Sequence, residues 1–298
     1  KELNYEILVA ERVPTSEGRL QGVVSDLVQR GAGMIFFTNT EYLEEASKFI
    51  EDYGSVDFFV IEPNRQVKGI HPISVRYYEA RFLAGIIAGL HTKTDSVGYV
   101  APFQTPEINR GINAFTLGVQ HVNSQAEVQV AWTGAWDNPT GEEQAVLSLK
   151  SQGVDVLTYH QNGETVPNVS ERIGIDFISY HEAYPSFRRY LTGVQINWGL
   201  VYRDAIINRN HRHQQATTWL GMMDGWVNLF PLTKRVSLRE RAYFECERYR
   251  IMQGEPIFMG EIHDRFGLMR LYPDEAFNAN YVQYEMDWLV RGVKTVGS

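Results

Sequence analysis

Residues 75–162 read VRYYEARFLAGIIAGLHTKTDSVGYVAPFQTPEINRGINAFTLGVQHVNSQAEVQVAWTGAWDNPTGEEQAVLSLKSQGVDVLTYHQN. Helical and strand-like segments alternate along this stretch, and its strands are short apolar runs bounded by Gly, Pro, Asp and Asn. Uninterrupted apolar runs are typical of parallel strands that are buried on both faces of a sheet. The stretch therefore predicts an α/β fold with parallel, doubly wound sheets.

The first helix of this stretch is predicted from Tyr77 to Leu90, where Gly85 and Gly89 would let a neighbouring backbone approach closely. Ligands of open α/β sheets bind outside the carboxyl ends of the strands. Strands are predicted at 96–101, 128–133 and 154–158, and helices begin near Pro106 and Pro139. The residues that we expect at the ligand-facing ends are Phe103, Trp136, His160 and Asn162.

The segments on either side continue the same pattern of strands and helices. A turn is predicted at Asp224-Gly225, between two apolar runs. Further strands are predicted at 5–13, 33–38, 56–61, 174–180 and 190–195, and further helices at 16–30, 41–53, 199–208, 237–253 and 286–290.

Several blocks carry a specific resemblance. They are the run YEARFLAGIIAGLHTKTDSVGYVAPFQTPEINRGINAFTLGVQHVN and the later segments AWTGAWDNP, QGVDVLTYHQN, GVQINWG, GMMDGWVNL and MDWLVRGV. In type and order they resemble the basic membrane protein (BMP) family of extracytoplasmic substrate-binding proteins. Many members serve ABC transporters, and the family includes receptors for purine nucleosides and nucleobases. The tail from Glu261 to Val293 is most similar to the members thought to bind adenine-type bases.

The resemblance implies a two-lobed type I periplasmic-binding-protein fold, with the ligand between the lobes and a hinge motion on closure. Compared with the family, the N-terminal lobe lacks its first strand and helix, so we expect the sequence to begin inside the native domain. The expected divisions are an N-terminal lobe at 1–75, a crossover helix at 76–94, a C-terminal lobe at 95–198, and the return crossings, the remainder of both lobes and the tail at 199–298.

Composition narrows the class of partner. The 298 residues carry a formal net charge of −8 and are 44% hydrophobic. An acidic chain is a poor match for nucleic acid or anionic membrane, which need a basic face. The sequence has neither a G-x-S-x-G nor an H-E-x-x-H motif, and Cys246 is its single cysteine. We therefore expect no enzymatic activity, cofactor or metal, and interpret His211 and His213 as part of a solvated polar turn.

The candidate ligand contacts are aromatic and polar residues near predicted strand ends. Trp136 and Trp198 either pack in a core or hinge, or stack on a planar base. Phe37 and Phe103 share that ambiguity, and His160 is either a structural histidine or a ligand contact. The candidates that would supply hydrogen bonds are Asn39, Asn162, His181 and Asp224.

Two positions depart from the family pattern. Asp224 lies in GMMDG, where the family usually has a Lys before the Asp and this sequence has Met223. Asn162 stands where many members have Asp. Both departures replace a charged side chain by a neutral one, which favours an uncharged, hydrogen-bonding ligand.

We therefore expect a solute-binding protein that captures a purine base or nucleoside between two lobes and delivers it to an ABC transporter permease. The alternative is the ligand-sensing extracytoplasmic domain of a signalling protein with the same fold. Either function implies the periplasm or the cell surface, with a lipid anchor in the full-length receptor. The sequence contains no apolar run long enough for a direct membrane span.

Overall fold

The computed structural model describes residues 5–15, 18–208 and 218–296. The chain divides into two compact units. Unit 1 contains Lys1–Val75 and Trp198–Leu220, and unit 2 contains Arg76–Asn197 and Gly221–Ser298. Among the described residues, no helix combines the length and the apolar character needed to cross a membrane. The polar turn with His211 and His213 lies outside the described residues.

Unit 1 is built on a four-stranded parallel sheet of order β1-β2-β3-β9. Its strands are β1 (Met34–Phe37), β2 (Asp57–Ile61), β3 (Ile70–Val75) and β9 (Thr218–Leu220). Its helices are α1 (Arg19–Gln29), α2 (Tyr42–Ala46), a 3-10 turn at Ile50–Tyr53 and α7 (Trp198–Ile207).

The two faces of this sheet bury different aromatic side chains. Phe37 and Phe58 stack 5.9 Å apart in a core that includes Leu20 of α1 and Leu43 of α2. Phe36 precedes Phe37 in β1, and its side chain points to the opposite face of the sheet, because successive side chains of a strand alternate between the two faces. There Phe36 meets Tyr202 of α7 edge to face, with ring centres 5.1 Å apart.

Two predictions for unit 1 are wrong, and one strand was not predicted. The segment 5–13 forms no strand, and the side chains of Tyr5, Ile7 and Val9 are exposed, because no described strand pairs with it. The helix predicted at 41–53 ends at Ala46 and resumes as the 3-10 turn. Strand β3 was not predicted, since it contains Pro72, and proline is rare inside a sheet.

Unit 2 is built on a seven-stranded sheet of order β10-β8-β7-β6-β4-β5-β13, in which β10 is antiparallel to β8 and the other pairs are parallel. Its strands are β4 (Ser96–Ala101), β5 (Glu127–Trp132), β6 (Val156–Tyr159), β7 (Asp176–Tyr180), β8 (Tyr190–Ile196), β10 (Val227–Leu229) and β13 (Val293–Val296). A separate hairpin pairs β11 (Ile262–His263) with β12 (Met269–Leu271). The helices of unit 2 are α3 (Tyr77–His91), α4 (Pro106–Val122), α5 (Pro139–Ser151), α6 (Thr165–Ile173), α8 (Leu238–Met252) and α9 (Ala279–Tyr284).

Helices α3 and α4 pack backbone to backbone, which confirms the predicted role of the two glycines. A Cβ on Gly89 would lie 2.6 Å from the carbonyl oxygen of Val119, and one on Gly85 would collide with the carbonyl of Phe115. Gly118 of α4 makes the reciprocal approach to Phe82. The first turn of α3 lies beside the carboxyl end of β6, where Tyr77 contacts His160.

The tail of unit 2 is held by polar side chains on a buried face of α4. Asn113 donates to the carbonyl of Trp288 and accepts from the N–H of Val290, at 2.9 and 2.8 Å. Arg110 donates to the carbonyl of Gln283 at 3.0 Å, near the end of α9. Because these backbone groups bond to α4, the helix predicted at 286–290 does not form, and that prediction is wrong.

Candidate functional site

Four neighbouring strands of unit 2 end at the same edge of its sheet and present a continuous row of rings. We name the rings of Phe103, Trp136, His160, Tyr180 and His181 the strand-end row. Phe103 and Trp136 meet edge to face with centres 5.8 Å apart, and Trp136 lies 6.0 Å from His160. Tyr180 follows at 4.2 Å from His160 and 3.7 Å from His181. The structure therefore brings together four predicted site residues and adds Tyr180.

The outer end of the row is open to solvent and its inner end is buried. Phe103 is 38% exposed and Trp136 is half-buried, whereas His160 is 3% exposed. The ring of Tyr77, from the first turn of α3, closes on His160 edge to face at 5.4 Å. A flat ligand that reaches this row meets aromatic surface at Phe103 and Trp136.

His160 is held in the neutral form. Burial lowers the pKa of its imidazole well below the ordinary value, and the charges of Arg81, His181 and Arg110 act in the same direction. Its backbone N–H continues the sheet by donating to Val100 at 2.8 Å. No described group hydrogen-bonds to its Nδ1 atom. A neutral imidazole carries one donor and one acceptor, which suits an uncharged hydrogen-bonding partner.

His181 adopts a backbone conformation that non-glycine residues rarely take. Its φ is 67°, in the left-handed region, directly after β7. Left-handed conformations of such residues cost of order 1 kcal/mol and cluster at ligand-binding positions. Burial, followed by the charge of Arg81, lowers the pKa of His181 to about 4. Its imidazole is therefore neutral near neutral pH, as that of His160 is.

The two amides that follow β6 have different surroundings. The backbone N–H of Asn162 donates to the carbonyl of Trp136 at 2.8 Å, and the Asn162 side chain is exposed. Gln161 is 2% exposed and donates through Nε2 to the hydroxyl of Thr133. Its Oε1 atom has no hydrogen-bond partner among the described residues. Sequence analysis passed over Gln161, although its place directly after a buried strand was the available signal.

Arg81, like Tyr180 and Gln161, was missed by sequence analysis. It is fully buried in α3 and donates to the hydroxyl of Thr158 at 3.0 Å and to the carbonyl of Tyr159 at 2.9 Å. Its guanidinium lies 4.4 Å from the centre of the Tyr180 ring. A charged residue inside the otherwise apolar run ARFLAGIIAGL was the signal that could have identified it.

Asp224 lies in the turn that connects β9 to β10, which confirms the predicted turn. Its carboxylate accepts the backbone N–H of Gly221 at 2.9 Å, and its side chain is exposed. Beside this turn, Glu79 accepts the N–H of Met222 at 2.6 Å, and burial raises the pKa of the Glu79 carboxyl to about 7. The Asp224 carboxylate therefore already accepts a hydrogen bond within the protein. A ligand that bonds to it would share the carboxylate with the N–H of Gly221.

The three predicted site residues of unit 1 have different surroundings. Phe37 is 4% exposed and packs in the core, which explains its aromatic character without a ligand. Asn39 accepts the backbone N–H of Glu41 at 2.8 Å and so stabilises the turn before α2. Trp198 is half-buried at the start of α7, with its ring 6.0 Å from that of Tyr202. The ring of Trp198 is more accessible than that of Phe37. A contact between Trp198 and a ligand stays a prediction.

The strand-end row is suited to binding. It combines the flat apolar surface of Phe103 and Trp136 with the neutral imidazoles of His160 and His181, and the exposed amide of Asn162 follows β6 beside it. Across the ranges that the structure describes, no group of three or more His, Cys, Asp or Glu residues is arranged to hold a metal ion.

Comparison with known proteins gives a consistent assignment of family. The family model for PnrA-like ABC transporter substrate-binding proteins (Bmp) matches residues 1–255. A purine-binding protein of Brucella abortus is 29% identical over 237 residues, which cover 78% of this chain and 67% of that protein. A proposed ABC transporter glucose-binding protein of Haloferax volcanii is 28% identical over 207 residues, which cover 69% of this chain and 53% of that protein. The chain thus spans about half to two thirds of these relatives.

Solved structures support the fold. An ABC transporter solute-binding protein from Aeropyrum pernix superposes with a TM-score of 0.66 at 17% identity, covering 84% of this chain and 82% of that one. Identity at that level shows the fold alone. Together with the parallel sheets, it confirms the predicted α/β fold of type I periplasmic-binding proteins.

Proposed function

The chain belongs to the Bmp family of PnrA-like ABC transporter substrate-binding proteins, and from that premise we propose that it binds a purine base or nucleoside for delivery to an ABC transporter. Substrate-binding proteins of this family are a non-enzymatic, extracytoplasmic class. We accordingly propose binding without chemistry, outside the cytoplasm, with a lipid anchor on the full-length protein.

The observation that carries the purine assignment is the strand-end row. Phe103 and Trp136 offer ring surface at its open end, and every nucleobase has a flat face that stacks on such rings. Stacking between aromatic groups contributes about 0.5–1.5 kcal/mol beyond burial. The exposed amide of Asn162, whose backbone is bonded to that of Trp136, offers a donor and an acceptor that can pair with the edge of a base. The Brucella abortus relative, described as purine-binding, supports the same class of ligand.

The nature of the polar groups also argues against a phosphorylated ligand. Phosphate sites use a helix N-terminus with a glycine-rich loop, or a cluster of basic side chains. The two cations that act on His160 of the row, Arg81 and Arg110, are fully buried and already donate to protein oxygens. We therefore propose a base or nucleoside in preference to a nucleotide.

A sugar is the second candidate, because the Haloferax volcanii relative is described as glucose-binding. Sugars also pack on aromatic rings, but their hydroxyl groups need several polar partners around the whole ring. The neighbours of Trp136 in the strand-end row are rings, with Phe103 at 5.8 Å and His160 at 6.0 Å. A flat heterocycle therefore suits this surface better than a sugar.

Native mass spectrometry of the protein as purified tests the proposal. We expect a fraction of the protein to carry a small molecule with the mass of a purine base or nucleoside. The Trp136→Ala variant is expected to retain much less of it, whereas Tyr272→Ala, which removes a 63% exposed ring elsewhere in unit 2, should retain as much as the parent. A bound species with the mass of a hexose in place of a purine would overturn the assignment.

A further inference from the structure

The loop that carries Trp136 is bonded to both strands that flank β5 on the inner side of the row. We name residues 133–138, between the end of β5 and the start of α5, the Trp136 loop. On the side of β4, the N–H of Gly134 donates to the carbonyl of Pro102 at 3.0 Å. Phe103 follows Pro102 directly in the chain. This bond therefore joins the two segments that carry the rings at the open end of the strand-end row.

On the side of β6, two successive residues bond to the Trp136 loop in different ways. Asn162 uses its backbone, because its N–H donates to the carbonyl of Trp136 at 2.8 Å. Gln161 uses its side chain, because its Nε2 donates to the hydroxyl of Thr133. That hydroxyl in turn donates to the carbonyl of Ala135 at 2.9 Å. The Gln161 amide is thus connected, through one hydroxyl, to the residue before Trp136.

The Thr133 hydroxyl closes a tight turn within the loop. Gly134 has a φ of 72°, in the left-handed region, so the chain turns between Thr133 and Ala135. A hydroxyl has one hydrogen to donate and lone pairs that accept. Gln161 donates to a lone pair, so the hydrogen is left for the nearer of two carbonyls, that of Ala135 at 2.9 Å, with that of Ala101 at 3.4 Å. The amide therefore orients the bond that closes the turn.

The burial of Gln161 gives this bond weight. Gln161 is 2% exposed, whereas the side chain of Asn162 is exposed. An amide that is taken out of water costs free energy unless it is hydrogen-bonded, and a buried partner that is left alone costs more than the bond itself contributes. Breaking the bond between Gln161 and Thr133 should therefore loosen the Trp136 loop from β6.

We propose that Gln161 is a positioning residue, which holds the Trp136 loop so that the ring of Trp136 is already oriented for stacking in the ligand-free protein. A binding surface that is ordered in advance loses less conformational freedom on binding and so binds more tightly. Gln161 acts through Trp136 and does not itself contact the ligand. The part of this inference that concerns affinity rests on the proposed function, whereas the part that concerns the loop involves the protein alone.

The loop part is tested by amide hydrogen exchange, followed by NMR without added ligand. The N–H of Asn162 reports the bond to the Trp136 loop, and the N–H of His160, which donates to Val100 at 2.8 Å, reports β6 itself. We call the exchange rate of Asn162 divided by that of His160 the exchange ratio, in which changes of global stability cancel. Gln161→Met should raise this ratio about fivefold or more, because the loop opens locally once its bond to Gln161 is lost.

Three further variants isolate the hydrogen bond. Thr133→Val removes the same bond from the acceptor side and should also raise the exchange ratio. Thr133→Ser keeps the hydroxyl and should resemble the parent. Thr116→Val is the matched control, because it removes a 2.8 Å bond from a buried hydroxyl to the carbonyl of Ile112 within α4. It should leave the exchange ratio at the parent value even where it lowers the overall stability.

The affinity part is tested by calorimetry with adenosine and with adenine, in a double-mutant cycle of Gln161→Met and Trp136→Ala. With Trp136 present, Gln161→Met should weaken binding of the purine about three- to tenfold. In the Trp136→Ala background the same substitution should change the affinity by less than about twofold, because the ring that Gln161 positions is gone. A residue that contacted the ligand itself would weaken binding in both backgrounds.

The outcomes separate this inference from the proposed function. If neither purine binds the parent while Gln161→Met raises the exchange ratio, the role of Gln161 in the loop stands and the purine assignment fails. An unchanged ratio in a folded Gln161→Met variant refutes that role. Equal losses of affinity in both backgrounds, or a raised ratio with unchanged affinity, refute action on the ligand through Trp136. Should Gln161→Met not fold, Thr133→Val takes its place in both tests.

Discussion

The backbone N–H of Asn162 donates to the carbonyl of Trp136 at 2.8 Å, so the segments that follow β6 and β5 are joined next to the strand-end row. This bond involves backbone atoms alone and survives replacement of either side chain. The Trp136 ring can therefore be removed while the segment that carries it stays in place.

Trp136→Ala is accordingly expected to weaken ligand binding by about 1–3 kcal/mol, the usual effect of removing a ring that stacks on a base. The thermal midpoint of the ligand-free protein should change little, because the ring is half-buried and its backbone bond remains. Calorimetry gives the affinity, and a melting curve without ligand gives the stability. A large drop in the midpoint with unchanged affinity would show that Trp136 is a packing residue.

Asp224 has a partner in the protein, so two substitutions are needed to test it. Asp224→Asn keeps an oxygen that can accept the N–H of Gly221 and removes the charge, whereas Asp224→Ala removes both. If the carboxylate binds the ligand, Asp224→Asn should weaken binding by about 1.5 kcal/mol or more, the range for a hydrogen bond to a charged group. If Asp224→Asn binds the ligand as tightly as the parent does and Asp224→Ala is less stable, then Asp224 stabilises its turn and does not bind the ligand.

The contact between α3 and α4 predicts opposite effects for two Gly→Ala substitutions. Gly85→Ala forces a methyl group against the carbonyl of Phe115 and should destabilise the protein by about 1–3 kcal/mol, as overpacking does. Gly22, in α1, is exposed, and a methyl group added to it would meet no atom within 4 Å. Gly22→Ala should therefore stabilise by about 0.5–1 kcal/mol through helix propensity. Urea unfolding measures both, and equal effects would contradict the close packing.

His91 links two carboxylates at the other end of α3 and predicts a pH dependence of stability. Its Nε2 lies 3.0 Å from Asp176 and its Nδ1 lies 3.3 Å from Glu240. The hydrogen bond to Asp176, and then that to Glu240, outweigh burial and raise the pKa of His91. The pKa of Asp176 is lowered to about 2 by its bonds to His91 and Arg235, although burial opposes the shift. The imidazolium is thus stabilised in the folded protein.

A raised histidine pKa contributes stability that is fully present below the unfolded value of about 6.5 and is lost as the pH rises through the folded value. His91→Gln should therefore destabilise the protein more at about pH 6 than at about pH 9. Urea unfolding of both proteins at the two pH values measures the difference. A constant difference would mean that His91 acts by packing alone. Arg189 and Arg235 also face Asp176, and both are present in the parent and in His91→Gln, so the comparison of the two proteins isolates the effect of His91.

Much of unit 2 is predictable from sequence because its elements are long and locally signalled. The strand 96–101 and the helix that starts at Pro106 have the predicted bounds, and Asn138 caps α5 by accepting the N–H of Gly141. These features depend on local apolar runs and capping side chains. Four of the five residues of the strand-end row were named from the sequence, because they closely follow buried strands; the fifth, Tyr180, was not.

The features that could not be predicted from the sequence depend on contacts between distant parts of the chain. The tail at 286–290 is not helical because Asn109 and Asn113 of α4 bind its carbonyl groups, more than 170 residues away in sequence. The charge of Arg81 within an apolar run is a local signal, but its hydrogen bonds could not be predicted from that signal, since its partners Thr158 and Tyr159 come from a distant strand. Phe37 looked like a strand-end contact because sequence does not show which face of a short strand is buried.

The most direct test of the central claim is a calorimetric titration of the parent protein with adenine, adenosine, AMP and glucose under identical conditions. The account predicts that adenine or adenosine binds, and that AMP and glucose bind much more weakly, because the strand-end row offers flat rings and neutral hydrogen-bonding groups. Trp136→Ala should weaken the purine that binds, and Tyr272→Ala should not. Tight binding of glucose with no binding of either purine would contradict the account.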